Sequence, residues 1–292
     1  MVPPPASAPV LRFAPSPNGL LHLGHAYSAL LNFDLARQIG GRFLLRIEDI
    51  DLARSQPRYV EAILADLRWL GLAWEEPVRR QSEHFAEYQA AAANLEAMGL
   101  LYPCFASRTE IEAAAGPSPK TDPDGAPLYP GLWRGADPAE LRRRKQAGEP
   151  FAMRLDMARA LEAAGGPLAW SRFDPAAPSQ LAQHKAGPAR WGDAVIVRKE
   201  TPTSYHLSVV ADDALQGVTH VVRGADLEAA TDLHRLLQAL LGLPSPAYHH
   251  HGLVSDPQGR KLSKSLGAPS LAQLRRDGAT PQDVRRMVGM GE

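Results

Sequence analysis

The segment from Val10 to Glu48 constrains the fold most. Two short apolar runs, Val10–Ala14 (VLRFA) and Arg42–Glu48 (RFLLRIE), are bracketed by turn residues and read as buried strands. Between them Leu31, Leu35 and Ile39 recur on one side of a predicted helix over Ala26–Ile39. Strand, helix and strand in succession predict parallel pairing through a right-handed crossover. A second helix places Val60, Ile63, Leu64 and Leu67 at i, i+3, i+4 and i+7, with Ser55 as its N-cap. A third carries Phe85, Tyr88, Ala92 and Leu95 and stops at Gly99.

The pattern changes at residue 101. Gly116-Pro117-Ser118-Pro119 and Asp122-Pro123-Asp124-Gly125 are turn-rich and the periodicity weakens, which predicts an inserted subdomain over 101–193. Strand signal returns from Ala194 in AVIVR, YHLSVVADD and VTHVV. An amphipathic helix follows with Ala229, Leu233, Leu236, Leu237 and Leu240 on one face, closed by Gly242 and Pro244. The expected organisation is α/β: a parallel sheet in two halves, 10–100 and 194–270, a loose tail over 1–9, and a short helical segment over 271–292.

Composition excludes several classes. With 45% hydrophobic and 22% charged residues the chain is globular, not disordered or fibrous. No run of about 18 apolar residues occurs, and Met1–Val10 has neither a basic nor an apolar leader region, so a cytoplasmic protein without a membrane partner is expected. Cys104 is the only cysteine, which excludes an intramolecular disulfide and a multi-cysteine zinc site. Lys+Arg and Asp+Glu both number 32, so a nucleic-acid surface would have to be a local patch.

Two segments carry chemistry. Pro17-Asn18-Gly19-Leu20-Leu21-His22-Leu23-Gly24-His25 follows the first strand and opens the first helix, whose unpaired N–H groups and partial positive charge favour phosphate. His22 and His25 could donate to a phosphoryl group there, and Gly24 leaves room for a flat base against the backbone. Far along the chain, Lys261-Leu262-Ser263-Lys264-Ser265 lies on a Gly-flanked loop whose two cations and two hydroxyls suit closure over a triphosphate.

HLGH followed by KLSKS resembles the paired HIGH and KMSKS signatures of class I aminoacyl-tRNA synthetases. RFAPSP (Arg12–Pro17), RIEDID (Arg46–Asp51) and GVTHVVRGAD (Gly217–Asp226) are similar to the glutamyl branch of that class, and the match spans residues 12 to about 270. The resemblance implies a class I synthetase Rossmann-type parallel sheet with an inserted subdomain. It implies a glutamate site with Glu48 against the α-amino group and Arg12, Ser16, Tyr205 and Arg223 around the carboxylates, with Phe13, Ala14 and Pro15 completing the first segment. Such a donor set suits a ligand with one ammonium and two carboxylates. ATP with Mg²⁺ is implied as well, bound by His22, Gly24, His25 and Lys264, with Lys261 helping to close the loop. Glutamate would then attack the α-phosphate, forming glutamyl-adenylate by positioning and charge stabilisation alone.

Only 27 residues follow Ser265, too few for a helical anticodon-binding region with its own core. No anticodon-binding domain is therefore expected. This layout resembles the truncated glutamyl-queuosine tRNA(Asp) synthetases, which implies tRNA-independent activation of glutamate and its transfer to the queuosine base of tRNA(Asp). The implied partners are glutamate and the tRNA(Asp) anticodon stem-loop, for a chain acting as a monomer. A compact glutamyl-tRNA synthetase charging tRNA(Glu), and a catalytically silent paralogue that binds ATP or an amino acid, are the competing readings.

Members of the family often hold a structural zinc through a Cys-x-Cys pair, a Tyr and a further Cys. The corresponding positions here are Cys104, Ala106, Tyr129 and Trp133, so zinc is expected to be absent and Cys104 to be a small buried filler. Asp212 and Asp213 could hold Mg²⁺ but read equally as caps, and no metal ligand is assigned. A mutual ion pair is the structural alternative for Arg223 and Glu48. Consecutive strand residues face opposite ways, so His249-His250-His251 reads as core or pocket lining. Arg142–Lys145, Arg275-Arg276 and Arg285-Arg286 could touch a tRNA backbone but read first as wet helix faces, and Trp69, Trp74, Trp170 and Trp191 read as core or interface.

Overall fold

The computed structural model describes residues 8–254 and 269–291. Strand β1 (Val10–Phe13), helix α1 (Leu23–Gln38) and strand β2 (Arg42–Ile47) form the predicted unit, with β1 and β2 parallel from Val10↔Arg42 to Phe13↔Leu45. Pro9 already belongs to it, because its carbonyl accepts from Arg42 N at 2.7 Å. Helix α2 (Pro57–Trp69) buries Ile63 and Leu67, as its periodicity requires. Its N-cap is Gln56, not Ser55; Pro57, with its preset φ and no N–H to satisfy, starts the helix instead. Strand β3 (Glu75–Arg80) then adds in parallel to β2, and helix α3 (Phe85–Ala97) buries Tyr88, Ala92 and Leu95.

Beyond α3 come β4 (Leu101–Cys104), α4 (Arg108–Ala115), α5 (Pro138–Gln146), β5 (Ala152–Leu155), α6 (Met157–Ala163), β6 (Ala169–Asp174), β7 (Ala177–Lys185) and β8 (Val195–Val197). Strands β4, β5 and β8 make a small antiparallel sheet. The AVIVR run thus joins β5 and does not resume the parallel sheet. Helix α7 (Tyr205–Leu215) is a second correction, since YHLSVVADD reads as a strand in the sequence. Ser204 caps this helix by accepting from Leu207 N, and nine residues of apolar-rich chain carry no decisive period.

Strand β9 (His220–Gly224), helix α8 (Glu228–Leu241) and strand β10 (Ala247–His251) complete the second half. β10 runs parallel to β9 on one side and to β6 on the other, and β7 covers the edge of β6 antiparallel. α8 stops at Gly242, whose φ of 65° is the left-handed conformation a helix end favours. The halves are stitched together at their strand starts: Val10 N donates to Thr219 Oγ1 at 2.8 Å and Thr219 N to Val10 O at 3.0 Å. Asn32 of α1 adds a bond to Val222 O at 3.1 Å. Helices α9 (Leu271–Arg276) and α10 (Pro281–Met287) return Leu271, Val284 and Val288 to the core shared by β1, β2 and α1.

Several arginines of the basic runs are paired within the fold. Arg143 and Arg144 bond Glu140, Arg275 faces Asp66 at 3.5 Å, and Arg285 holds Asp34 at 2.7 and 2.9 Å. Trp170 and Trp191 are buried, whereas Trp69 and Trp74 pack partly against the main core.

Candidate active site

A cavity of about 510 Å³ opens where β1, β2, β9 and β10 end. The carboxyl ends of strands in an open α/β sheet are where ligands bind. Arg12, Phe13, Ala14, Pro15 and Ser16 enter it along the end of β1, and His22, Gly24 and His25 from the start of α1. Glu48 enters just after β2, Tyr205 from the first residue of α7, and Arg223 near the end of β9. The fold thus brings all the predicted site residues that are described into one cavity. Lys261 and Lys264 lie outside the described residues, but both flanks of that segment are at the same place. Val254 lines the cavity, Ser270 pairs with His22 in an antiparallel bridge, and Leu271 N donates to Leu21 O at 2.8 Å.

The two histidines cap α1 reciprocally. His22 is the N-cap and its Nδ1 accepts from Gly24 N at 3.1 Å, while His25 Nδ1 accepts from His22 N at 3.2 Å. Both Nδ1 atoms being acceptors, the ring proton of each neutral imidazole stands on Nε2. The rings lie 3.9 Å apart, centroid to centroid. A Cβ on Gly24 would sit 3.0 Å from His22 Cε1, so this glycine also lets the His22 ring fold over the helix start.

One flank of the cavity is an ion network that reaches the surface where Arg79 also holds Glu87. Arg46 is fully buried; its Nη1 donates to Asp213 at 2.8 Å and to Gln216 Oε1 at 2.9 Å, and its Nη2 to Glu48 Oε1 at 3.0 Å. Arg12 holds Asp213 through Nε and Nη2 at 3.1 and 3.3 Å. Asp212 takes Arg79 Nε, Gln81 Nε2 and the Tyr88 hydroxyl, all within 3.0 Å. The two aspartates are therefore anchors for arginines from three strands. Burial pushes the Asp213 carboxyl up, but Arg12 and Arg46 outweigh it and the net direction is down. At Glu48 burial wins over the pull of Arg46 and Arg12, and the net direction is up. Glu48 pairs with Arg46, so the mutual pair with Arg223 does not form.

Arg223 stands apart from this network. Its Nη2 donates to Thr231 Oγ1 at 2.7 Å, and its Nη1 to the Tyr205 hydroxyl at 3.2 Å and to His234 Nδ1 at 3.4 Å. The guanidinium lies 5.5 Å from the Tyr248 ring centroid, and its Nε is buried without a partner. Among the described residues no carboxylate comes within ion-pair distance of it, although only 5% of the residue is exposed. Thr231 and His234 were missed in the sequence. Their signal was present: both fall on the Leu-rich buried face of α8.

The positions that hold zinc elsewhere do not suit it here. Cys104 Sγ lies 3.3 Å from the Tyr129 hydroxyl, which also accepts from Trp133 N at 2.9 Å, and Ala106, Ile111 and the Trp133 ring pack around them. Two donors already bonded to each other within an apolar cluster fall short of a tetrahedral zinc site.

Residues 10–290 match the family described as tRNA synthetases class I (E and Q), catalytic domain. The chain belongs to that family. A curated relative named Glutamyl-Q tRNA(Asp) synthetase, from Rhodobacter capsulatus, is 47% identical over 291 residues, covering 96% of this chain and 100% of the relative. One of the same name from Symbiobacterium thermophilum is 42% identical, over 94% of this chain and 83% of the relative. Among solved structures, a glutamate tRNA ligase from Elizabethkingia meningosepticum in complex with its amino acid superposes with a TM-score of 0.76 at 25% identity. That match covers 97% of this chain and 61% of the ligase. The described class I domain is thus the α/β catalytic fold with its parallel sheet. None of its described helices is long and apolar enough to cross a membrane.

Proposed function

We propose that this chain activates free glutamate with ATP, without tRNA, and transfers it to the queuosine base in the anticodon of tRNA(Asp). The observation that carries the choice of amino acid is Arg223, a buried cation that among the described residues bonds only to neutral groups, in the same cavity as Glu48. Burying a charge without a counter-ion is costly, and a carboxylate from the substrate removes that cost. The names of the two curated relatives support the acceptor.

In this reading Arg223 and Tyr205 take the side-chain carboxylate and Glu48 takes the ammonium, which leaves the α-carboxylate to react. Arg12 and Ser16, with Phe13 to Pro15, wall the cavity beside it. ATP places its phosphates at the start of α1, where His22 and His25 donate through Nε2 and Gly24 leaves the base room. Lys264 and Lys261, outside the described residues, are assigned to the phosphate charge. One α-carboxylate oxygen bonds to the α-phosphorus, the bond to the bridging oxygen breaks, and pyrophosphate leaves. Magnesium accompanies the triphosphate and screens its charge. No side-chain nucleophile is needed, so rate comes from positioning and charge stabilisation. The chain works as a monomer in the cytoplasm, with the anticodon stem-loop of tRNA(Asp) as its macromolecular partner.

Acylation with labelled glutamate tests this directly, using tRNA(Asp) with and without queuosine beside tRNA(Glu). Label on queuosine-containing tRNA(Asp) alone is expected. Label only on tRNA(Glu) would overturn the acceptor, and absence of glutamate-dependent ATP–pyrophosphate exchange would overturn the enzyme.

A further inference from the structure

The surroundings of Arg223 form a directional chain of bonds. A guanidinium N–H only donates, so His234 Nδ1, 3.4 Å from Arg223 Nη1, is an acceptor and the His234 proton stands on Nε2. That Nε2 lies 3.1 Å from His206 Nδ1, which therefore accepts in turn. Thr231 Oγ1 accepts from Arg223 Nη2 at 2.7 Å and turns its own proton to His250 Nε2 at 2.9 Å. Each member is held in its neutral, accepting form by the next. Burial, with Arg223 adding to it, depresses the basicity of His206, His234 and His250 alike. The carboxylates of Asp212, Asp213 and Glu48, meanwhile, are bonded to Arg12, Arg46 and Arg79.

Resting on the glutamate reading of the cavity, the geometry points to His234 and Thr231, backed by His206 and His250, as the positioning residues that set specificity for an acidic side chain. They fix the Arg223 guanidinium through neutral acceptors alone, and so leave its charge for the amino acid. A carboxylate in place of either would fix the arginine equally well and cancel the charge that distinguishes glutamate from glutamine. Selection by charge thus resides in the absence of a counter-ion among the described residues, a feature that the residues touching the ligand do not determine by themselves.

The test is tRNA-free ATP–pyrophosphate exchange by the full chain, with glutamate as substrate and glutamine as competitor. His234→Glu is expected to raise the glutamate KM roughly a hundredfold, the size of a lost charge-assisted contact, with kcat and the ATP KM within about threefold. Its preference for glutamate over glutamine should fall in parallel. His234→Gln, which can offer a neutral carbonyl at that place, should stay within about threefold of wild type. Thr231→Val keeps the shape and loses the acceptor, and should raise the glutamate KM roughly tenfold. A merely structural role for these residues would move the melting temperature, kcat and both KM values together, without rescue by glutamine at 234. A folded His234→Glu protein with unchanged glutamate KM overturns the proposal; if that variant does not fold, an unchanged KM in Thr231→Val does so. Wild-type protein with no glutamate-dependent exchange overturns the glutamate reading itself, and this proposal with it.

Discussion

The two flanks of the cavity bury charge in opposite ways. On the α7 side Arg12, Arg46 and Arg79 meet Glu48, Asp212, Asp213 and, toward the surface, Glu87, three cations and four anions cross-bonded so that no single pair stands alone. On the α8 side Arg223 meets, among the described residues, only hydroxyls, one imidazole and an aromatic face. A compensated network serves as scaffold: it fixes Glu48 and Arg12, and breaking it strands charge. An uncompensated cation serves as receptor, and its counter-charge arrives with the ligand. Stability and affinity should therefore separate cleanly between the two flanks.

The largest expected effect is on the scaffold. Arg46→Met leaves Glu48, Asp212 and Asp213 short of a cation, and unfolding in urea should show a loss of about 3–5 kcal/mol. An unchanged midpoint would mean that the network is not holding the fold. Arg223→Met should behave in the contrary fashion. Its stability should stay within about 1 kcal/mol of wild type, because a buried uncompensated charge goes with it, while the glutamate KM rises roughly a hundredfold. Equal losses of stability from the two substitutions would erase the distinction between the flanks.

Acid sharpens the contrast. Burial lowers His206 from 6.5 to about 4 and His234 and His250 in the same direction, so the native state resists protons that the unfolded chain accepts. Stability is then complete above pH 6.5 and declines as pH falls toward 4, by about 1.4 kcal/mol per pH unit for each such group. His220, His249 and His251 act in the same sense; Glu48 and Asp66, raised by burial, act in the opposite one. Asp213 is held below the usual carboxylate range by Arg12 and Arg46, against its burial. His206→Gln should reduce the slope by one proton, measured as urea midpoints between pH 6.5 and 4, and an unaltered slope would show that His206 is not held neutral. The smallest effect is expected from Tyr205→Phe, which removes one of three acceptors of Arg223 and should raise the glutamate KM about fivefold.

What the sequence revealed follows the same division. The β1–α1–β2 unit was legible because each element carries its own period, and the site residues because they sit in short motifs at strand ends. The ion network was not, since Arg12 and Asp213 lie 201 residues apart and Arg79 and Asp212 133 apart, and nothing local records that they meet. α7 was misread because YHLSVVADD is buried nearly all round, which removes the amphipathic signal. The β6–β7 hairpin was hidden in a turn-rich stretch with weak alternation. His234 and Thr231 left a trace only as polar residues among the leucines of α8, a trace that gains meaning once Arg223 is placed beside them.

The most direct measurement is a crystal structure with a non-hydrolysable glutamyl-adenylate analogue. Expected is the side-chain carboxylate within hydrogen-bonding distance of the Arg223 guanidinium, the ammonium on Glu48, and the phosphate at the start of α1 beside His22 and His25. A side-chain carboxylate bound elsewhere, with Arg223 still bonded only to Thr231, His234 and Tyr205, would contradict the assignment of that buried cation as the receptor.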